Sequence, residues 1–577
     1  MKEYLPLISL IIFLMIFYLG LPDLDKVDLK AKAKKYTRAD LIVIAVITLF
    51  FGIVDFWKLG NTDSPETFVA MGDKTAVITI EDDRQPVSLM FYTGVCTGNY
   101  DIEFSEDGIN YVKISAYEQT YADVLRWVNI SCYSDLNARY IRITGYGSEF
   151  LGEVGVLDIN DEFIPFSCDV PELCDEQDTL TTEQTYMNST YFDEIYHART
   201  AWENLNGVYP YEVSHPPLGK LIIALGISIF GMTPFGWRFS GTLFGVLMLP
   251  IMYIFAKELF GSLRVATCTT LIFATDFMHL VQTRIATIDS YAVFFILLMY
   301  LFMYKYLNER NLKYLALSGI MFGLGAASKW TCLYAGAGLG VIWLIDRIRC
   351  RRDGLKAFFK NAGFCVIFFV AIPLVIYYLS YIPYGIAAEV RPVFSKAYYK
   401  IVADNQVFMF TYHSGLQAEH PYSSKWYQWL LDIRPILYYL KYYDDGTHSS
   451  FGAFLNPVLC WGGLIALIIL LYCALMRKDR KAGFIIIGYF AQLIPWIFIS
   501  RLTFEYHYFP CSVFLVLALG YIFHLMENGS RYYKLYIYCL TGVSAILFIV
   551  FWPALTGVRI SSYYGTNVLQ WIASWPF

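Results

Sequence analysis

Two adjacent carboxylates, Asp193 and Glu194, lie in an aromatic segment that reads "TYFDEIYHARTAWENL" over residues 190–205. The segment contains no Gly or Pro, which favours a helix. On a helix, Asp193 shares a face with His197, whereas Glu194 points about 100° away from Asp193. The pair therefore predicts that one carboxylate faces a reacting group as a general base while the other holds a partner. The alternative is a solvated acidic face without a chemical role.

A second polar motif, "SHPPLGK" at residues 214–220, contains His215 and Lys220. The two prolines between them suit the start of a helix. We expect a helix over 215–231 that lies on the membrane surface, because it is short for a span and contains three glycines. For His215, a contact at the N-terminus of this helix is the alternative to a role in binding.

Further ionisable residues lie at the predicted outer ends of hydrophobic runs. They are Arg238, Arg284, Asp289, Lys329, Arg501, Glu505 and His507. A charged side chain at the edge of a membrane span indicates a functional site, with snorkelling to the interface as the common alternative. Arg284 could pair with Asp289 or with a carboxylate of the 193–194 pair.

Several kinds of site are disfavoured by the motifs. His413 and His420 bracket Glu419, but their spacing matches neither a zinc finger nor an HExxH motif, so we predict no metal site. Instead, we interpret this loop as a surface that faces the donor or the acceptor. The chain contains no P-loop and no Gly-x-Ser-x-Gly elbow, which argues against an ATP-driven transporter and a serine hydrolase.

A membrane-embedded chain must position these residues. Of 577 residues, 57% are hydrophobic and 16% are charged, and the net charge of −5 is too small to indicate a nucleic-acid partner. The 47 Tyr and 13 Trp suit membrane interfaces. Runs long enough to span a bilayer recur about twelve times. They lie near residues 4–20, 39–57, 236–256, 265–281, 290–306, 314–328, 331–346, 363–382, 453–476, 483–500, 508–526 and 535–551.

Lys and Arg concentrate in alternate short loops. These loops are residues 25–38, 307–313, 346–360, 477–481 and 529–534. The positive-inside rule places them in the cytoplasm, so both termini and the two large segments 59–235 and 383–452 face outward. We interpret 4–20 as a retained helix and not a signal peptide, because it lacks a small-residue cleavage site.

Residues 61–166 have a different pattern. Short alternating runs at 74–82, 87–94, 100–115, 126–132 and 139–147 predict strands. Asp107-Gly108 predicts a hairpin, and short strands with regular turns predict an extracytoplasmic β-sandwich. We therefore divide the chain into two N-terminal spans with a basic loop (1–60), the sandwich (61–166), an outer loop with juxtamembrane helices (167–235) and the helical core (236–577).

Four of the 12 cysteines, namely Cys96, Cys132, Cys168 and Cys174, lie in this outer segment. An oxidising exterior permits disulfides. The short loop makes Cys168–Cys174 the favoured pair, with free thiols as the alternative.

Several long segments together carry a family resemblance. They are "FDEIYHARTAWENLNGVYPYEVSHPPLGK" with the span that follows it, "LVQTRIATIDSYAVFF", "GAASKWTCLY", "SSKWYQWLLDIRPILYY", "RLTFEYHYFP" and "SSYYGTNVLQWIASWPF". In this order they resemble the protein O-mannosyltransferases, multi-pass enzymes of the glycosyltransferase C (GT-C) superfold, over nearly the whole chain after residue 190. Segment 61–166 resembles a discoidin-like jelly roll, which the usual first outer loop of the family lacks. Segment 383–452 is too short for the regulatory sugar-binding domain of eukaryotic members, so the resemblance is to a bacterial form.

The resemblance implies transfer of mannose from a polyprenyl-phosphate carrier to Ser or Thr hydroxyls of exported proteins. The reaction would take place on the outer face of a bacterial cytoplasmic membrane, which suggests the secretion translocon as a further partner. Asp193 would accept the hydroxyl proton, and Glu194 would orient the acceptor or fix an arginine, although the two roles could be exchanged. Direct displacement would invert the anomeric carbon.

The carrier phosphate requires positive charge from Arg, Lys or a divalent metal, and no cofactor is assigned. We rank Arg238 and Arg501 above Lys329 as phosphate ligands. The family motif makes His215 and Lys220 structural or donor-proximal. His197, Arg284, Asp289 and His507 complete the candidate substrate-binding residues.

Three other interpretations remain open. The same fold could use another lipid-linked sugar, or a cell-wall polymer or lipid as acceptor. A transporter should place charged residues near mid-membrane and show repeat symmetry, and the sequence shows neither. An adhesion or sensor protein would use the β-sandwich as its working part and leave the acidic helix without a role.

Overall fold

The computed structural model describes residues 4–24, 35–350, 352 and 354–577. Most of the predicted basic loop 25–38 therefore lies outside the described residues. The chain forms two compact units. The first, which we call the β unit, comprises Lys58–Tyr211 and Ile222–Ser240. The second, which we call the helical unit, comprises Met1–Trp57, Glu212–Leu221 and Gly241–Phe577.

The β unit contains two antiparallel sheets. One sheet has the order β1 (Val69–Ala70), β8 (Phe150–Leu157), β3 (Ser88–Thr93) and β6 (Arg126–Ser131). The other has the order β5 (Val112–Gln119), β4 (Gly98–Ser105), β7 (Tyr140–Gly147), β2 (Thr75–Ile80) and β9 (Phe166–Cys168). Buried side chains of both sheets join in one core, among them Ile78, Phe91, Tyr100, Ile141 and Val154. The compact unit continues to Tyr211, beyond the predicted end of the sandwich.

All five predicted strand runs in this region are confirmed. The run 100–115 is the β4–β5 hairpin, and Gly108 adopts the positive φ of 74° that the predicted Asp-Gly turn requires. Asp107 holds the turn by accepting the N–H groups of Ile109 and Asn110 at 2.9 and 2.8 Å. Strand β8 was not predicted from alternation, because nearly every one of its residues is buried.

The predicted Cys168–Cys174 disulfide is wrong. All twelve cysteines carry free thiols, Cys168 and Cys174 included, which is the alternative that the sequence analysis left open. Burial raises the pKa of Cys168 to about 11, which keeps the thiol protonated and slows its oxidation.

Helices dominate the rest of the chain. In order they are α1 (Leu5–Gly20), α2 (Arg38–Phe56), α3 (Glu194–Leu205), α4 (Leu218–Phe230), α5 (Pro234–Phe260), α6 (Leu263–Ala274), α7 (Phe277–Arg284), α8 (Asp289–Glu309), α9 (Leu312–Ser328), α10 (Thr331–Arg349), α11 (Gly354–Val366), α12 (Ile372–Leu379), α13 (Ile382–Ala387), α14 (Lys396–Gly415), α15 (Trp426–Trp429), α16 (Gly463–Leu475), α17 (Arg480–Ile497), α18 (Phe509–Gly529), α19 (Tyr533–Thr556) and α20 (Ser562–Tyr564).

Eight helical stretches among the described residues are long and apolar enough to cross a membrane. They are Arg38–Phe56, Pro234–Phe260, Asp289–Glu309, Thr331–Arg349, Gly354–Ala387, Val458–Leu475, Glu505–Gly529 and Tyr533–Thr556. Four shorter apolar helices, α1, α4, α6 and α9, add to them. The chain is thus a multi-span membrane protein, and the count of twelve spans is not confirmed.

The predicted span 265–281 is wrong, because it divides into α6 and α7. Asp276 interrupts it and caps α7 by accepting the N–H of His279 at 3.1 Å. The predicted run 483–500 corresponds to α17.

Helix α18 lies at the centre of the helical unit. Its residues are buried from Phe509 to Met526, and it packs against α6, α16, α17 and α19. Leu and Ile side chains on other helices, such as Ile53 and Ile549, stay largely exposed, which suits contact with lipid chains.

A small sheet in the helical unit was not predicted. Strands β10 (Ile436–Tyr442) and β11 (Thr447–Ala453) form a hairpin, and β12 (Ile560–Ser561) pairs with β11. Gly446 has a φ of 75°, so Asp445-Gly446 is the hairpin signal that the sequence contained and the prediction overlooked.

Candidate active site

Helix α3 places the two adjacent carboxylates at its N-terminus. Asp193 is the N-cap residue and is half-buried, whereas Glu194 is fully buried. The helix begins at Glu194, later than the predicted start at position 190, because Phe192 has a φ of 49° that no helix accommodates.

Arg238 binds Glu194 inside the β unit. Its Nε donates to Oε1 of Glu194 and its Nη2 to Oε2, both at 2.7 Å. The other N–H groups donate to the carbonyls of Leu59, Tyr186 and Ser189 at 2.6 to 2.9 Å. All five N–H groups of the guanidinium are thereby used. Arg238 therefore has no N–H group left to donate to a phosphate oxygen, and its predicted role as a phosphate ligand is corrected to a structural one.

Two further contacts hold α3 in place within the β unit. Within the helix itself, Arg199 donates to Glu203 at 2.7 Å, and both side chains are buried. Glu203 also accepts the backbone N–H of Tyr211 at 2.7 Å, and Tyr196 stacks on the Tyr211 ring. His197, one turn after Asp193, is buried on the same helix. The acidic pair therefore begins a rigidly held helix and not a solvated one.

In the helical unit, Glu212 joins His215 to Lys220. The Nζ of Lys220 donates to Oε2 of Glu212 at 2.6 Å and to the carbonyls of Glu212 and His215 at 2.6 and 3.0 Å. The Nδ1 of His215 lies 3.1 Å from Oε1 of Glu212. Burial lowers the pKa of His215, and the carboxylate of Glu212 opposes that shift. Glu212 was missed by the sequence analysis, although its spacing of three residues to His215 was a usable signal.

His413 approaches this group from α14. Its ring centroid lies 5.1 Å from that of His215, and its Nε2 donates to the Ser214 carbonyl at 2.8 Å. Burial and the neighbouring charges of His215, Arg501 and Lys329 lower the pKa of His413 to about 4. His413 is therefore neutral at physiological pH, and its Nε2–H is fixed by the carbonyl.

Lys329 is paired with Asp289. The distance from Nζ to Oδ1 is 2.7 Å, and both side chains are buried in the helical unit. The Nζ also lies 5.5 Å from the centroid of the Tyr506 ring. Arg284 instead donates to the Trp57 carbonyl at 2.8 Å, so the predicted pairing of Asp289 with Arg284 gives way to Asp289–Lys329.

Arg501 and His507 occupy the segment before α18. Arg501 is half-buried and donates to the Leu502 carbonyl at 3.3 Å. Within the described ranges it has no carboxylate at salt-bridge distance. His507 is buried between aromatic rings, with Tyr506 at 4.4 Å and Trp496 at 4.5 Å. Arg501 is thus the better placed of the two to meet an external anion.

Glu505 forms a buried acidic pair with Asp432, which the sequence analysis missed. Neither side chain is exposed, and the two carboxyl groups lie close to each other. Burial raises the pKa of Asp432 to about 6. Its Oδ1 also accepts the N–H of Leu455 at 3.2 Å, which ties the segment after α15 to the end of β11.

One group among the described residues has the ligand spacing for a metal ion. It consists of Glu153, Asp175 and Glu176 in the β unit. The groups built around Glu212 and Lys329 are ion pairs, in which a lysine neutralises each carboxylate.

Two protein-family models match the chain. The model of the dolichyl-phosphate-mannose-protein mannosyltransferases matches residues 214–377. The model of the C-terminal four-helix region of protein O-mannosyltransferases matches residues 398–575. Together the two cover more than half of the chain.

The chain belongs to the protein O-mannosyltransferase family. A polyprenol-phosphate-mannose–protein mannosyltransferase of Mycobacterium tuberculosis is 26% identical over 67% of this chain and 86% of that protein. The enzyme of the same name from Corynebacterium glutamicum is 23% identical over 69% and 90%.

The helical fold is that of a solved protein O-mannosyltransferase. A complex of S. cerevisiae protein O-mannosyltransferases bound to the sugar donor gives a TM-score of 0.60 at 14% identity. The match covers 67% of this chain and 89% of that chain. Both matched family regions begin after residue 213, so the two-sheet domain and the 193–194 pair lie outside them.

Proposed function

We propose that this protein transfers mannose from a polyprenyl-phosphate carrier to Ser or Thr hydroxyls of exported proteins, with inversion at the anomeric carbon. The observation that carries the proposal is the match of two protein O-mannosyltransferase family models over more than half of the chain. The named relatives, which match over most of their length, support the same donor and acceptor classes.

Asp193 is the proposed general base. In the transfer step, the acceptor oxygen forms a bond to the anomeric carbon while the bond from that carbon to the phosphate oxygen breaks. The hydroxyl proton passes to the carboxylate of Asp193, and the carrier leaves as polyprenyl phosphate. The half-buried position of Asp193 at the N-cap supports this role, since the side chain is not fully enclosed by the protein.

Glu194 is the proposed positioning residue. Its two oxygens are bound by Arg238, and burial of both side chains supports a fixed orientation for the start of α3. This arrangement favours the assignment of the base to Asp193 over the exchanged assignment.

Arg501 and Lys329 are the proposed source of positive charge for the carrier phosphate. Arg501 offers a guanidinium that can bind a phosphate through two N–H groups. Lys329 contributes a buried charge that Asp289 holds in position. His215 and Lys220 shape the loop around Glu212, and a divalent metal is the alternative source of charge.

The proposed location is a bacterial cytoplasmic membrane, with the site on the extracytoplasmic side. The distribution of Lys and Arg among the short loops supports this orientation. Exported acceptors on that side make the secretion translocon a proposed partner. The two-sheet domain is proposed to be a discoidin-like jelly roll, which its two antiparallel sheets around one core support.

The test is sugar transfer by the purified full chain in nanodiscs, with synthetic polyprenyl-phosphate mannose and a Ser/Thr-rich peptide. Loss of the base in Asp193→Asn should reduce kcat by about 100-fold or more. Asp83→Asn is the matched control, because Asp83 is 98% exposed in the same unit. Activity only with another lipid-linked sugar would refute the mannose assignment, and full activity of Asp193→Asn would refute the base.

A further inference from the structure

Three basic loops of the helical unit meet around one cavity. The cavity has a volume of about 920 Å³, and its lining comes from the C-terminal ends of α8, α10 and α16 and from the start of α17. The lining residues from these loops lie within 307–310, 346–350 and 477–481, which the sequence places on the cytoplasmic side. We call this space the basic cavity.

Cations outnumber carboxylates in its lining. The cations are Arg310, Arg349, Arg477, Lys478, Arg480 and Lys481, and the carboxylates are Asp346 and Asp479. Asp346 is bound by Arg310 through two hydrogen bonds of 2.7 and 2.8 Å. Asp479 caps α17 by accepting the N–H of Ala482 at 2.8 Å. Both carboxylates thus have structural roles, and the lining keeps an excess of positive charge.

The remaining wall of the basic cavity is apolar. Leu471 and Leu475 of α16 contribute to it, as do Ile486 and Ile487 of α17. Leu475 is 66% exposed, so this wall continues onto a surface suited to lipid chains. A soluble anion would use the cations alone, whereas an amphiphile would use both parts of the lining.

The interior leaves room at one helical position. A Cβ atom placed on Gly483 of α17 meets no heavy atom within 4 Å, and Gly483 belongs to the lining. Helix α17, which contains Gly483, begins at Arg480. The half-buried cations Arg477 and Lys481 lie just before and just after this first residue. The space is therefore large enough for a head group and lies beside charges that can bind it.

We infer that the basic cavity binds the phosphate head group of an anionic phospholipid, with the acyl chains along the apolar surface of α16. Arg side chains bind phosphate oxygens through paired N–H groups, and Lys adds charge. Basic pockets between membrane helices on the cytoplasmic side have the chemistry for such head groups. None of the residues in the lining has a proposed role in sugar transfer, so the inference is independent of the proposed function.

Native mass spectrometry of the full chain released from nanodiscs tests this inference. Phosphatidylglycerol should remain bound, whereas phosphatidylcholine should not. The double variant Arg477→Gln with Lys481→Gln should bind phosphatidylglycerol roughly 30-fold more weakly, which corresponds to about 1 kcal/mol for each cation.

A second variant tests the free space in the basic cavity separately from its positive charge. It also keeps the inference testable if the double variant fails to fold. Gly483→Phe fills the basic cavity without removing a cation, and it should also lose the bound lipid. Two controls match these changes. Lys356→Gln with Lys360→Gln removes two exposed cations of α11, and Gly542→Phe adds a ring on α19 where a Cβ also meets no atom within 4 Å. Both controls should retain phosphatidylglycerol as the wild type does.

Two results would overturn the inference. One is equal retention of phosphatidylglycerol by Gly483→Phe and the wild type. The other is displacement of the lipid by millimolar inorganic phosphate, because the ligand would then be a soluble anion that needs no apolar wall.

Discussion

Glu194 and Arg238 are joined by two parallel hydrogen bonds of 2.7 Å, although 43 residues separate them in the chain. Neither side chain is more than 1% exposed. The pair ties the N-terminus of α3 to the start of α5 within the β unit, and the three carbonyls bound by Arg238 add the segments around residues 59 and 186–189. Asp193 directly precedes Glu194 in the chain, so the orientation of the Asp193 side chain depends on this junction.

The first prediction concerns the stability of this junction. Glu194→Gln keeps the shape of the side chain but leaves the charge of Arg238 without its carboxylate. Breaking a buried ion pair costs about 3–5 kcal/mol. We therefore expect a clearly lower thermal unfolding midpoint for the purified variant in detergent, measured by intrinsic fluorescence.

Glu103→Gln is the control for that substitution. Glu103 pairs with Arg142 at 2.6 Å, but both side chains are partly exposed, so the change should cost less than about 1 kcal/mol. Equal midpoints for Glu194→Gln and Glu103→Gln would show that the Glu194–Arg238 pair adds no stability.

The second prediction concerns the thiols. Because all twelve cysteines are free, alkylation in denaturant without a reductant should add twelve labels to the chain by intact-mass measurement. Prior treatment with a reductant should leave the count unchanged. Ten labels without reductant and twelve with it would establish a disulfide, with Cys168–Cys174 the first pair to examine by peptide mapping.

Local patterns were sufficient to predict much of the fold. Alternating residues and the Asp107-Gly108 turn located the β4–β5 hairpin, because strand period and turn chemistry depend only on neighbouring residues. Strand β8 lacks alternation because it is buried on both faces. Asp276 divides α6 from α7 through a capping contact, and a hydropathy pattern does not detect such a contact. The burial of β8 depends on tertiary packing, which no local pattern reports, whereas Asp276 is a local N-cap signal that the hydropathy-based prediction overlooked.

The candidate site was predictable in its residue types but not in its partners. Lys329 and Asp289 were both among the candidate residues, but the sequence left open whether Arg284 pairs with Asp289, and the partner of Asp289 is Lys329. Contacts such as Glu194–Arg238 and Asp432–Glu505 join residues 44 and 73 positions apart. A single sequence gives no information on such distant pairs, because nothing in the local pattern depends on them.

The third prediction concerns donor binding. Arg501→Gln removes a guanidinium that we propose binds the carrier phosphate, and a hydrogen bond to a charged group contributes about 1.5–3 kcal/mol. The KM for polyprenyl-phosphate mannose should rise by about tenfold or more, with a smaller change for the acceptor peptide. Steady-state kinetics with each substrate varied in turn provides the measurement.

Arg531→Gln is the control for this change, because Arg531 is an exposed arginine in a loop predicted on the cytoplasmic side. It should leave both KM values unchanged. An unchanged donor KM in Arg501→Gln would move the phosphate site to other cations, with Lys329 the next to test.

The fourth prediction concerns pH and His413. Its pKa is lowered from 6.5 to about 4 by burial and by the nearby charges of His215, Arg501 and Lys329. Between these two values the unfolded chain takes up a proton at His413 and the folded chain does not. The contribution of His413 to stability is therefore complete above pH 6.5, falls as the pH drops towards 4, and amounts to at most about 3 kcal/mol.

His413→Gln removes this titration while keeping a side chain that can donate to the Ser214 carbonyl. The thermal midpoint of the variant should thus fall less steeply than that of the wild type between pH 6.5 and 4. Asp432, whose raised pKa of about 6 gives the opposite slope over the same range, is present in both proteins and cancels in the comparison. Ser414→Ala, a change at an exposed neighbour that does not titrate, should keep the wild-type slope. Parallel slopes for wild type and His413→Gln would mean that His413 titrates alike in the folded and unfolded chain, contrary to its burial beside three cationic or ionisable neighbours.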